Sequence, residues 1–171
     1  MSLWLKGTIE ERGCGGYGCH DCPYQIYEEE DSFACAGDKR WQGYSIAVEL
    51  WWLLGKPKRG EKLADLVEDA ERDENGVIML NPNQVREAVY IMAGLHEELL
   101  DFTGNENFYF NPDEINWDME EYSRLVSRWL KPDGTGYYYT LYDAFCNARA
   151  TEEYLRGALR VGKPVLFDSK D

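Results

Sequence analysis

A mainly helical α+β domain with a small sheet is what this 171-residue sequence predicts, and three observations carry the prediction. Apolar residues recur at three- and four-residue steps over several long stretches, the spacing that lines one face of a helix. Short apolar runs bounded by Gly, Asn and Pro stand between those stretches and read as strands. No repeat and no long flexible linker divides the chain, so residues 1–171 read as a single domain. Six Trp, twelve Tyr and six Phe supply the large apolar areas that disordered chains lack.

In order along the chain, Leu3, Leu5 and Ile9 with Trp4 among them predict a first strand, weakened at Gly7. Gly13 to Gly18 hold four glycines in six positions and open a Cys/Gly-rich loop over 13–35. From Asp38, a plausible N-cap, Trp41, Tyr44, Ala47, Val48, Trp51 and Leu54 follow helical spacing up to a stop at Gly55, and Pro57 forbids continuation. Adjacent helical residues point about 100° apart, so Trp51 and Trp52 divide between core and boundary. A second helix is predicted over Glu61–Arg72 with Leu63, Leu66, Val67 and Ala70 inward. Asn75-Gly76 marks a turn, and Val77–Leu80 reads as a strand.

Asn81-Pro82 is a strong helix start, because Asn caps free amides and Pro is preorganised at the first helical position. The stripe Val85, Ala88, Val89, Met92, Leu95, Leu99 carries that helix to about Leu100. Asn107–Phe110 reads as a strand and Asp118–Leu130 as a helix, broken by Pro132-Asp133-Gly134. Leu141–Val161 is helical in one or two pieces, with Thr151 placed to cap a second piece; Gly162 ends it, and Pro164–Phe167 forms a terminal strand.

Cys14, Cys19, Cys22 and Cys35 form a C-x4-C-x2-C-x12-C array. Four thiolates close in sequence suit a tetrahedral zinc ion, which makes these four the candidate metal ligands. Reduced, partly buried cytosolic thiols account for the same spacing, and so do a disulfide or an iron-sulfur loop like that of plant-type ferredoxins.

The charge pattern points elsewhere. Between Glu87 and Glu121 stand ten carboxylates and no Lys or Arg, against a net charge of −14 for the chain. A like-charged block repels itself, so its concentration beside Phe102, Phe108, Tyr109, Phe110 and Trp117 suggests a basic partner. The expected contact residues are Glu97, Glu98, Asp101, Phe108, Phe110, Asp113, Trp117 and Asp118.

The acidic balance disfavours nucleic acid, which needs clustered Lys and Arg, and disfavours anionic membrane for the same reason. No apolar run approaches the ~20 residues a bilayer needs, and Met1–Ile9 lacks signal-peptide features, so a cytoplasmic location is expected. Neither His20 nor His96 stands beside a nucleophile motif, and Lys56 and Lys58 near Gly55 and Gly60 do not form a phosphate loop. No catalytic residue is expected.

The second half resembles the YfbM-like proteins, a family of small bacterial proteins of unassigned function. The similarity lies in Leu80-Asn81-Pro82-Asn83-Gln84-Val85 opening a helix through Leu95 and Leu99, in Trp117, and in the ending from Tyr154 to Leu166. The resemblance implies an α+β fold and carries over no catalytic residues; the Cys-rich first third and the residues before Thr151 depart from it. Three functions follow from the residues themselves: an acidic protein that docks a basic partner as immunity proteins dock cationic toxins, a small metal-assisted hydrolase, or a zinc-stabilised regulatory module.

Overall fold

The computed structural model describes residues 2–8, 43–108 and 141–170. They form a mainly helical α+β fold whose strands make one four-stranded antiparallel sheet. Strand β1 (Ser2–Thr8) lies beside β4 (Val165–Lys170), β4 beside β3 (Ile78–Leu80), and β3 beside β2 (Glu71–Arg72). The β1–β4 register runs from Ser2↔Lys170 to Thr8↔Val165 and slips between Leu5 and Gly7, so the glycine that weakens the strand pattern marks its irregularity. Leu3 and Leu5 are buried, and the Leu3 amide donates to Ser45 Oγ at 3.0 Å, fastening the strand to the first helix.

Helix α1 (Gly43–Leu53) is buried nearly all round, as a central helix must be. The expected cap, Asp38, lies outside the described residues. Trp51 is fully buried and Trp52 half-buried, as their angular separation requires. The helix ends where Gly55 takes a φ of 74°, with Gly55 N–H donating to the Trp52 carbonyl and Lys56 N–H to that of Trp51. This is the paired closure that a left-handed glycine permits.

Helix α2 spans Pro57–Glu68, not 61–72, because Pro57 occupies its first turn. The residue that cannot continue one helix is preorganised to begin another, where its missing N–H costs nothing. At the other end Glu71 and Arg72 leave the helix to pair with Met79 and Ile78. Asp73 organises that hairpin, its Oδ1 accepting from the amides of Asn75 and Val77 at 2.9 Å each.

Helix α3 (Pro82–Ala93) starts as its sequence dictates. Asn81 Oδ1 accepts from the Gln84 amide at 3.0 Å, and Gln84 Oε1 from the Asn81 amide at 2.9 Å, a complete capping box. It does not run unbroken to Leu100, however. Gly94 separates it from α4 (Leu95–Thr103), at the point where the Trp51 indole comes so close that a Cβ on residue 94 would lie 3.2 Å from Cη2. The expected strand at 107–110 is likewise absent at Phe108, whose φ is 55°; residues 109 and 110, and the predicted helix 118–130, lie outside the described residues.

Helix α5 (Leu141–Val161) is a single 21-residue helix. Thr151 caps nothing: it is an interior position, 2% exposed, spanned by the i,i+4 pairs Arg149–Glu153 and Arg156–Glu152. Gly162 (φ 70°) ends α5 with the same closure seen at Gly55, through Gly162 N–H to Leu159 and Lys163 N–H to Ala158. α5 packs on α1 and α3, α1 packs on α2, and β1 packs on α1. No helix among the described residues is long and apolar enough to cross a membrane.

Tyr44 joins three of these elements. Its hydroxyl donates to the Leu63 carbonyl of α2 at 2.6 Å, and its ring meets Phe167 of β4 edge-on at 5.3 Å. Burial holds its phenol far above the ordinary 10.0. An unfolded chain ionises this tyrosine above pH 10 while the folded one does not. Stability from the neutral phenol is therefore complete below 10 and declines as pH rises, by about 1.4 kcal/mol per unit for one group. Denaturant melts from pH 9 to 11 are expected to show that added slope in the wild type and its loss in Tyr44→Phe.

Candidate functional site

Two of the expected docking residues are exposed to solvent. Glu97 and Asp101 are exposed on α4, one helical turn apart on one face. Glu98 is engaged within the molecule: its carboxylate pairs with Lys56 at 2.6 Å and Arg59 at 3.7 Å, from the start of α2. Arg59 also lies over the Trp51 ring at 4.8 Å, so this cationic pair closes the α1–α2 corner against α4. Phe108 is 2% exposed and belongs to the core, ringed by Phe145 at 5.0 Å and His96 at 5.9 Å. It presents no ring to a partner. Phe110, Asp113, Trp117 and Asp118 lie outside the described residues, as do Cys14, Cys19, Cys22 and Cys35.

Among the described residues, no three His, Cys, Asp or Glu side chains gather as a metal site requires. His96 is exposed, with its ring tilted toward that of Phe145 at 5.5 Å. Cys146 is an exposed thiol one turn from Tyr142, with which it shares a hydrogen bond. Partial burial pushes its pKa up and the bond from Tyr142 only partly offsets this, so the thiol stays protonated and is a poor nucleophile.

The sequence did not reveal the concavity that α2 and α3 enclose. A groove of about 600 Å³ runs between them, with Leu66 and Ile91 as apolar lining and Asp65, Asp69, Glu87 and Tyr90 around it. Spacing explains the convergence. Asp65 lies on the last turn of α2 and Asp69, the C-cap residue, follows one turn further along the same face, while Glu87, Tyr90 and Ile91 are neighbours on α3. Tyr90 is 83% exposed, the most open large apolar side chain among the described residues. In the sequence Asp65 and Asp69 fall opposite the apolar stripe of their helix and mark no groove; the signal for one is Tyr90, a ring out of phase with the apolar stripe of its own helix.

No protein-family model, no curated protein and no solved structure matches the chain.

Proposed function

We propose that this is an acidic binding protein that docks a basic protein partner, in the manner of an immunity protein meeting a cationic toxin. One observation carries the reading. Glu87, Glu97, Asp101 and Glu106 are all exposed and make no ion pair among the described residues, whereas Glu98, Glu152 and Glu153 each have an arginine or lysine partner. Unpaired carboxylates along a stretch devoid of Lys and Arg repel one another, and a cationic surface relieves that repulsion on contact. The exposed Tyr90 ring, which lines the same groove as Glu87, supplies the kind of aromatic anchor that interfaces favour. The resemblance of residues 80–85 and 154–166 to the YfbM-like proteins adds no chemistry to these carboxylates.

Affinity capture from the native host tests the reading when wild type is compared with the quadruple variant Glu87→Gln, Glu97→Gln, Asp101→Asn, Glu106→Gln. These positions are exposed, so the variant is expected to melt like the wild type, within about 0.5 kcal/mol per site. The wild type is expected to retain a basic protein at low salt that moderate salt weakens and the variant fails to hold. Capture of no basic protein at either ionic strength, or equal capture by the variant, overturns it.

A further inference from the structure

We propose that the α2–α3 groove is the pocket for an arginine side chain of the basic partner, an inference that rests on the docking function above and names the group it recognises. The groove offers three things that a guanidinium uses together. Asp65, Asp69 and Glu87 provide carboxylates from two helices. None of the three is neutralised internally among the described residues, and Arg86, which also lines the groove, donates its guanidinium to Asn83 of its own helix at 3.1 Å. Arg86 keeps its charge, and neither it nor Lys62 makes an ion pair with these carboxylates, so the lining carries three negative charges against two positive.

Tyr90 supplies an open ring face, and a planar guanidinium stacks on such a face while forking toward carboxylates beside it. Leu66 and Ile91 complete the lining with apolar surface, against which the methylene stem of a long side chain packs. This combination favours arginine over lysine. Guanidinium is more weakly hydrated than ammonium and so loses less on entering a partly apolar groove, and only guanidinium makes the stacked, two-pronged contact. A volume of about 600 Å³ accommodates the arginine with its neighbouring residue.

Fluorescence anisotropy with three labelled peptides tests this: acetyl-Leu-Arg-Leu-Arg-Gly-amide, the same peptide with lysine, and the same with neutral citrulline. The arginine peptide is expected to bind about three- to fivefold more tightly than the lysine peptide, the size of a cation–ring contact at an exposed site. Citrulline is expected to abolish binding. Tyr90→Ala is expected to erase the arginine preference, and Asp69→Asn with Glu87→Gln to weaken both cationic peptides, all with unchanged thermal melts because these side chains are exposed. Equal, salt-sensitive binding of the arginine and lysine peptides, indifferent to Tyr90→Ala, overturns the pocket while leaving acidic docking in place. Binding of neither cationic peptide also overturns the pocket, and the capture experiment then decides the broader reading alone.

Discussion

Trp51→Ala is expected to remove about 3–5 kcal/mol of folding stability and to lower Tm by about 6–20 °C. Trp51 is the largest of the fully buried side chains, at 0% exposure, and it joins three helices at once. It projects from α1, its ring edge fills the space that Gly94 leaves at the α3–α4 junction, and Arg59 of α2 covers its face. Truncation empties that space, and the Lys56–Glu98–Arg59 cluster next to it loses its support. Trp51→Phe is expected to cost less than half as much. A phenyl ring keeps much of the contact area, and the indole Nε1 it discards is buried with no hydrogen-bond acceptor, so no bond is lost. Thermal melts of the two variants check both values, and a Trp51→Ala protein that melts with the wild type contradicts this packing.

Gly43→Ala is expected to be the second most damaging change, at about 1–3 kcal/mol for a single added methyl. A Cβ at position 43 would lie 2.0 Å from Thr151 Oγ1 and 2.6 Å from the Asn147 carbonyl oxygen. The first obstacle is a side chain and the second is the backbone of a long helix, so α1 has to move away from α5. That difference yields a double-mutant cycle. Thr151→Ala removes the hydroxyl, which is buried and without a hydrogen-bond partner, so alone it breaks no bond. Combined with Gly43→Ala it is expected to recover part of the loss, the part due to the hydroxyl, while the carbonyl contact persists. Strictly additive effects in urea melts would show that α1 and α5 do not meet at this point.

The elements legible in the sequence are those whose ends are set by local chemistry. Asn81, Pro82 and Gln84 determine a helix start among themselves, and Gly55 and Gly162 end helices by adopting a backbone conformation costly for other residues. Where tertiary contact decides, sequence reading fails. Nothing local distinguishes Gly94 from a tolerated helical glycine; only the Trp51 ring beside it does. Pro57 reads as a barrier until the helix it begins is seen, and Thr151 reads as a cap until its burial shows the helix continuing.

The candidate site divides the same way. Exposure of Glu97 and Asp101 follows from the apolar stripe opposite them, as expected. The capture of Glu98 depends on Lys56 and Arg59, about forty residues earlier in the chain, and the burial of Phe108 depends on Phe145 of α5. The groove needs carboxylates from two helices that no periodicity connects.

Strand order has a consequence for biosynthesis. Among the described residues β4 comes after β1, β2 and β3 in the chain, occupies the interior of the sheet and is the strand through which β1 reaches β3. Until residues 165–170 emerge, β1 and the 71–80 hairpin lack, among the described residues, the strand that joins them, and the helices must wait with Leu3, Leu5 and Ile78 incompletely covered. Closure across so long a stretch of chain is slow, so the nascent protein passes through a period with open strand edges in which chaperone contact is most valuable.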